Sequence, residues 1–284
     1  MGIPAGSLQK ATIELFSKAG FGIIGAERSY LPRIDDDQIE PICLRAQEMS
    51  RYVADGVLDA GITGYDWIME NGSDVIDVCE LAYSKRTSNP ARWVLAVPNE
   101  SKVKNANDLA GGIIATELVK VVGQYFVGKD VKVKVEFSWG ATEVKARLVD
   151  AIVELTETGT SIRANNLRII DTVITSTTRL IANKDAWEDE FKREKIENIA
   201  ILLNAAIEAR SKVGLKLNIK KNDLDSILKI LPAEKSPTVS PLADSGYIAI
   251  EVIIDEKTER SLVPALKRAG ASGIITYPLN KVIH

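Results

Sequence analysis

Apolar and polar residues alternate in short runs through the first two thirds of the chain, and between those runs the spacing lengthens to that of helices with one apolar face. The period-two runs predict strands at Pro41 to Ala46, Leu58 to Thr63, Val75 to Leu81, Trp93 to Val97, Gly112 to Thr116, Val131 to Phe137, Asp150 to Leu155 and Ile169 to Thr175, after a short first strand at the N-terminus. Helical spacing is found at Gln9 to Ala19, where Ile13, Leu15, Phe16 and Ala19 make one stripe and Gly20 supplies the stop. Leu118 to Val127 and Ala186 to Arg210 read as helices by the same pattern.

Strands alternating with helices predict an α/β fold. The polar, turn-rich stretch Pro98 to Asn107 divides the strands into two groups, which predicts two lobes with a cleft between them. The first lobe is assigned residues 1–97 and 177–211, and the second residues 98–176. Ligands in open α/β sheets bind beyond the carboxyl ends of strands, so the loops at those ends are the place to look for a site.

The last segment, 212–284, changes pattern. Strand Gly214 to Ile219, helix Asn222 to Leu231, strands Thr238 to Leu242 and Tyr247 to Ile254, helix Glu256 to Ala269 and strand Gly273 to Tyr277 follow in order. This is the βαββαβ order of a ferredoxin-like domain. The alternation of Ile248, Ile250, Val252 and Ile254 predicts an antiparallel sheet open on one face. A dimerisation module and a small-ligand regulatory module both fit it.

Composition narrows the chemistry. With 284 residues and 45% hydrophobic content, the chain is long enough for two or three cores. The 36 basic and 39 acidic residues leave a net charge of -3 without a basic block, which argues against a nucleic-acid partner. No apolar run reaches the roughly 18 residues of a membrane span and no signal peptide is recognisable, so a cytoplasmic protein without a membrane partner is expected. Cys43 and Cys79 sit in apolar stretches, as buried reduced thiols would. The single histidine is His284, the last residue. Histidine triads and histidine metal clusters are thereby excluded, and no residue is assigned as a catalytic acid or base.

The richest segment is DAIVELTETGTSI, Asp150 to Ile162, a buried strand that breaks into a hydroxyl-rich turn and then a helix over Ile162 to Asn165. Backbone amides from Glu157 to Ser161 are placed to cradle a phosphate, with hydroxyls from Thr158, Thr160 and Ser161 and close approach allowed by Gly159. Glu154, with Asp150 four residues before it, suits ribose hydroxyls or a magnesium ion. An ordinary capped helix after a strand is the alternative reading of the same pattern.

DAIVELTETGTSIRANNL resembles the phosphoribosyl pyrophosphate loop of ATP phosphoribosyltransferases, and other blocks stand in that family's order. They are GIPAGSL near the start, VADGVLDAGITGYDWI at 53–68, ARWVLAVP at 91–98, IATEL at 114–118 and WGATEV at 139–144. SPTVSPL at 236–242 and GASGIITYPLNK near the end resemble the regulatory domain of the long form of the family. The opening block carries Ala5 where the family commonly has lysine, and Asn218 stands where some relatives have an acidic residue.

The resemblance implies a two-lobed, periplasmic-binding-protein-like catalytic part followed by a ferredoxin-like regulatory domain. It implies transfer of phosphoribosyl from phosphoribosyl pyrophosphate to N1 of ATP, with release of pyrophosphate and with Mg2+ as cofactor, at the first step of L-histidine biosynthesis. Glu154, Glu157, Thr158, Gly159, Thr160 and Ser161 would hold phosphoribosyl pyrophosphate. Arg45, Arg92, Thr63, Asp66 and Glu143 would face ATP or pyrophosphate, and Asp150 and Glu154 the metal. Trp67 and Trp139 read as packing residues rather than adenine platforms. In the last domain Asn218, Thr238, Ile253 and Gly273 would bind histidine as an inhibitor, in a homo-oligomer that forms dimers and hexamers. A two-lobed protein that binds or senses a small anion without catalysis is the competing reading, and a phosphoribosyltransferase for another base is a third.

Overall fold

The computed structural model describes residues 1–83, 90–232 and 237–283. His284 and Ser236, the first residue of the SPTVSPL block, therefore lie outside the described residues. The chain packs as two units, Met1–Ala200 and Ile201–His284.

In the first unit, β1 (Gly2–Ala5) leads into α1 (Gln9–Ala19) and a small ribbon of β2 (Ile23–Ile24) and β3 (Arg33–Ile34). Next come β4 (Ile42–Arg45), α2 (Ala46–Ala54), β5 (Ala60–Gly64), α3 (Tyr65–Asn71) and β6 (Ile76–Leu81). The second stretch holds β7 (Ala91–Pro98), β8 (Ile113–Thr116), α4 (Val119–Gly128), β9 (Lys134–Phe137), α5 (Thr142–Lys145), β10 (Ala151–Thr156), α6 (Thr160–Ala164) and β11 (Leu167–Ser176). Thr177 alone separates β11 from β12 (Thr178–Ala182), after which come α7 (Lys184–Glu188) and α8 (Glu190–Glu208), whose residues from Ile201 on count with the second unit.

These strands form two five-stranded sheets, ordered β4-β1-β5-β12-β6 and β11-β7-β10-β8-β9. In the first, β1 runs parallel to β4 and β5, whereas β12 runs against β5 and β6. In the second, β8, β9 and β10 are mutually parallel and β7 runs against β10 and β11. The two antiparallel strands mark where the chain passes from one sheet to the other. β7, which the sequence grouped with the first lobe, is hydrogen-bonded inside the second sheet, so the change of lobe falls between β6 and β7 and not at residue 98. The polar stretch taken as a separator is instead a connection within the second lobe. The long helix expected from Ala186 starts earlier and breaks at Asp189, where ψ is 116°.

Each sheet is covered by helices because its apolar faces demand it. In the first lobe α2 lies directly on the strands: a Cβ on Gly2 would stand 2.1 Å from Met49 Sδ, and one on Gly61 2.7 Å from the same atom. Only glycine permits that approach. The second sheet has a core on both faces, one with Trp93, Leu95, Val153, Leu118 and Phe126, the other with Val94, Ala96, Ile152 and Ile162. Cys43 is buried as expected, while Cys79 is only half-buried.

The second unit adds β13 (Lys212–Lys220), α9 (Leu224–Leu228), β14 (Thr238–Pro241), β15 (Tyr247–Asp255), α10 (Glu256–Arg268) and β16 (Ser272–Pro278). The sheet order is β14-β15-β13-β16, antiparallel throughout, which is the ferredoxin-like topology. Leu215, Leu217, Ile219, Ile248 and Ile250 pack with Ile227 of α9 and with Leu262 and Leu266 of α10. Among the described residues no helix is long and apolar enough to cross a membrane.

Asn183 ties the end of β12 to α2 and α7. Its Oδ1 accepts from the amides of Asp185 at 2.9 Å and Ala186 at 3.1 Å, and its Nδ2 donates to Val53 O at 2.9 Å. Asn183→Ala removes a helix cap and one of two donors to the Val53 carbonyl, which keeps the Gly56 amide at 3.2 Å, so unfolding in urea should show a loss of about 1–2 kcal/mol. A loss below about 0.5 kcal/mol would mean that the network carries no such weight.

Candidate functional site

The carboxyl ends of β1, β4 and β5 in the first sheet, and of β8 and β10 in the second, open on one cavity of about 500 Å3. Ala5, Arg45 and Gly64 come from the first set of strand ends, Glu117, Glu154 and Glu157 from the second. The connections between the sheets supply the floor, through Ala82, Tyr83, Pro90, Ala91, Ser176, Thr177 and Thr178. This is the position that strand polarity dictates for a ligand site in open α/β sheets. A second, basic compartment shares Ala5, Gly6 and Arg45 with the first and is lined further by Gln9, Arg28 and Tyr30.

Glu154 is the central group. Burial, the Thr142 hydroxyl and Leu155 amide notwithstanding, and then the neighbouring carboxylates Glu143 and Glu117 push its pKa up to about 7. Glu117, just past the end of β8, is also raised by burial, against a hydrogen bond from Gln47 and the charge of Arg45. Gln47 and Arg45 belong to the first sheet's layer and Glu117 to the second, so this contact spans the cavity.

The loop after β10 forms a closed local structure. Thr156 Oγ1 accepts from the Gly159 amide at 2.7 Å, and Arg163 Nη2 donates to Thr158 O at 3.1 Å. The hydroxyls of Thr158 and Thr160 meet at 2.9 Å on the exposed side. Ser161, in the first turn of α6, donates to the carboxylate of Glu143 in α5, which joins this segment to the one after β9. There the Ser138 and Thr142 hydroxyls bond at 2.8 Å. Gly159 has φ +73°, and a Cβ there would stand 2.9 Å from Arg163 Nη1. α6 begins at Thr160, two residues before the expected start.

The residues singled out from the sequence separate into groups. Arg45, Asp66, Glu154 and Glu157 line the cavity, and the Thr158–Ser161 turn and Glu143 adjoin it through the contacts above. Asp66 is almost fully buried: its carboxylate accepts from Trp93 Nε1 at 2.6 Å and from the Trp67 amide at 3.0 Å, and burial raises its pKa. Arg92 is not a lining residue, but it is paired with Thr156 across the β7–β10 ladder, on the same face as Glu154. Thr63 is fully buried with its hydroxyl on Ala46 O at 2.7 Å, a structural bond that turns it away from a ligand. Asp150 stands at the opposite end of β10 and accepts from the Ile113 amide at 2.8 Å, so the strand itself separates it from Glu154. Trp67 packs edge-on against Trp93 at 6.1 Å, and Trp139, although 90% exposed, meets Phe137 edge-on at 4.7 Å. Glu117, Gln47 and Tyr83 escaped the sequence reading, although Glu117 is flagged by its place immediately beyond a parallel strand.

In the second unit, Asn218, Thr238 and Ile253 lie on the open face of the sheet, away from the helices. Asn218 is opposite Ala249, Thr238 opposite Glu251 and Ile253 opposite Gly214. A Cβ on Gly273 would stand 3.0 Å from Asn218 Nδ2, so the fourth residue is on that face too.

The family model described as HisG, ATP phosphoribosyltransferase, matches residues 45–205, more than half of the chain. The chain belongs to the ATP phosphoribosyltransferase family. A second model, the HisG C-terminal domain, matches residues 209–281, as in the long form of the family. An ATP phosphoribosyltransferase of Chlorobaculum parvum is 55% identical over 284 residues, covering 100% of this chain and 97% of that protein. One from Pelotomaculum thermopropionicum is 54% identical, covering 100% and 98%. Among solved structures, the ATP phosphoribosyl transferase (HisG:HisZ) complex from Thermotoga maritima overlays with a TM-score of 0.63 at 26% identity, over 74% of this chain and 98% of that one.

For a family member with these carboxylates, the ligand-free protein carries a defined pH signature. The folded pKa of Glu154, about 7, lies above its usual value of 4.5, so between these values the native state binds more protons than the unfolded chain. The stabilising contribution is complete below about pH 4.5 and is lost as pH rises through about 7. Glu154→Gln, which stays neutral, should gain on the parent protein by up to about 3 kcal/mol from pH 5 to pH 8 in urea unfolding. A stability difference that is flat with pH would reject the desolvated carboxyl.

Proposed function

We infer that this chain transfers the phosphoribosyl group of phosphoribosyl pyrophosphate to N1 of ATP and releases pyrophosphate, the first step of L-histidine biosynthesis. The observation that carries the reading is the cavity itself. In a family member matched over its full length, the acid-and-hydroxyl segment Glu154–Ser161 stands at the cavity shared by two sheets, across from Arg45. The adenine nitrogen brings its own lone pair, so no protein base is required at the attacking atom. The work of the protein is to orient two substrates and to stabilise charge as the bond to pyrophosphate breaks.

In this reading the Thr158, Thr160 and Ser161 hydroxyls, with loop amides from Glu157 to Ser161, hold the 5'-phosphate. The Gly159 amide, which lies on Thr156 Oγ1 in the free protein, joins them only if the turn rearranges. Glu154 holds the ribose hydroxyls in its ionised form. Arg45 and Arg92 meet the polyphosphate or the leaving pyrophosphate with charge-assisted hydrogen bonds. Glu143 orients Ser161, and Asp66 acts from beneath through Trp93 and Trp67.

Magnesium is the cation this reading calls for. Glu117, Glu154 and Glu157 line the cavity with hard oxygen donors beside the one lining guanidinium of Arg45, whereas Asp66 is held by Trp93 and the Trp67 amide. Among the described residues no three acids are grouped to hold a metal alone, so the substrate diphosphate would complete the site. Glu154 and Glu117 would hold a metal that arrives on the diphosphate, and it would supply charge neutralisation at the leaving group.

The open face bearing Asn218, Thr238, Ile253 and Gly273 is proposed as the histidine site, with histidine inhibiting from a distance in a homo-oligomer of dimers and hexamers. Such inhibition requires histidine to bind the inactive assembly more tightly than the active one. A cytoplasmic location follows from the biosynthetic role.

Absorbance-monitored formation of phosphoribosyl-ATP from ATP, phosphoribosyl pyrophosphate and magnesium tests the reaction, and added histidine tests the regulation. Product suppressed by histidine supports both, product insensitive to histidine rejects the regulatory site, and ligand binding without product favours an anion-binding module. Gly159→Val should weaken phosphoribosyl pyrophosphate binding by about a hundredfold or more, because a branched side chain is strained at positive φ and fills the turn. Unchanged affinity in a folded variant refutes the placement of the phosphate.

A further inference from the structure

α3 follows a strand of the first sheet and is bonded to α2 there, through Asn71 Nδ2 to Gln47 O at 2.9 Å, and its two acids bond to the second lobe as well. At its first turn, Asp66 accepts from Trp93 Nε1 at 2.6 Å, and its amide donates to Ser176 Oγ at 3.1 Å. Four residues on, and so on the same face of the helix, Glu70 reaches α4. Its Oε1 accepts from the Lys120 amide and its Oε2 from the Val121 amide, each at 2.9 Å. A carboxylate with both oxygens on first-turn amides, at the positive end of the helix dipole, makes a strong cap. Trp67, between the two acids, packs on Trp93.

α4 is preceded by Glu117 and Leu118. Leu118 is fully buried and its amide donates to Thr116 Oγ1 at 3.1 Å, so the link from strand to helix has no slack. Glu117 lines the cavity, whereas Glu70 does not. The Lys120 and Val121 amides are occupied by Glu70 and are not offered to a substrate phosphate.

We propose that Glu70 is a positioning residue: by clamping the first turn of α4 from outside the cavity, it fixes Glu117 on the cavity wall opposite Gln47 and Arg45. The proposal rests on the cavity being the transferase active site. Asp66 and Glu70 make α3 a brace between the two lobes, because on its other side Ser50 Oγ donates to Trp67 O at 3.2 Å and Asn71 Nδ2 to Gln47 O at 2.9 Å, and Gly64 at the end of β5 is what admits Asp66 there. A side chain there is blocked, since a Cβ would stand 2.0 Å from Asp66 Oδ1.

The test compares Glu70→Ala, Glu70→Gln, Glu117→Gln and the double variant Glu70→Ala/Glu117→Gln in the full chain. Glu70→Ala should lower kcat/KM by about tenfold or more, since small misplacements of cleft groups have effects of that size. Glu70→Gln, which keeps one acceptor oxygen, should recover part of the loss. The double variant should be no slower than Glu117→Gln alone, because Glu70 acts through Glu117. Losses that multiply in the double variant, or wild-type kinetics in Glu70→Ala or Glu117→Gln, overturn the proposal. Hydrogen exchange gives a readout independent of turnover: in Glu70→Ala, amide exchange should quicken at Leu118 as well as at Lys120 and Val121. Faster exchange confined to Lys120 and Val121 also overturns it. Should the unmodified protein form no product, the reading of the cavity fails, and the exchange result still decides whether Glu70 holds this segment.

Discussion

Carboxylates held away from water at the meeting point of two sheets set the terms for the rest of the first unit. Glu154, Glu117 and Asp66 are each desolvated enough to resist ionisation, and Glu143 adds repulsion from the side. Burying such groups is unfavourable unless hydrogen bonds or cations compensate. Asp66 obtains its compensation from indole and backbone donors inside the protein. Glu154 has less, and that shortfall makes it responsive to what enters the cavity. In the proposed reaction, a cation that accompanies a polyanionic substrate would relieve the repulsion there, so that metal and substrate would favour each other's binding.

The scaffold serves this arrangement by bringing the carboxyl ends of strands from two sheets to one place. Parallel strands leave their following loops on the same edge, and two reversed strands let the chain pass from one sheet to the other without lengthening the connections. The brace through α3 adds stiffness where the arrangement would otherwise be loosest. Its two acids reach across the lobe boundary, and the buried Trp93 answers one of them. The same side chain supplies a hydrogen-bond donor to the site and a large apolar surface to the core of the second sheet.

Much of this fold is legible in the sequence because alternation records which face of a strand is buried. Ile248 to Ile254 show the open sheet of the second unit plainly, and the stripe on Gln9–Ala19 marks a helix whose limits the structure reproduces. β12 is missing from the predicted strands, which in the first unit stop at Thr175, because the single residue Thr177 carries no turn signal to announce a new strand at Thr178. The lobe boundary was misplaced for a related reason: Pro98 to Asn107 has turn chemistry, but turn chemistry does not say whether the chain changes sheet. At the site, Glu154 and the loop after it stand out as a contiguous motif. Thr63 and Asp150 share the motif composition yet spend their polar atoms on the backbone. Glu117 and Gln47 lie far apart in sequence, and only folding brings them together.

The sheet orders also fix a schedule for synthesis. All strands of the second sheet lie in one continuous stretch, residues 91–176, whereas the first sheet needs β1, near residue 2, and β12, at Thr178–Ala182, side by side with β5. A chain emerging from the ribosome can therefore close the second sheet while the first still lacks a strand. The early strands, with their unpaired edge toward the missing β12, must wait for more than a hundred residues of later chain, a long loop to close before those contacts form. The lobe translated first is thus the lobe completed last, and in a nascent chain it is the part most exposed to mispairing and to chaperone capture.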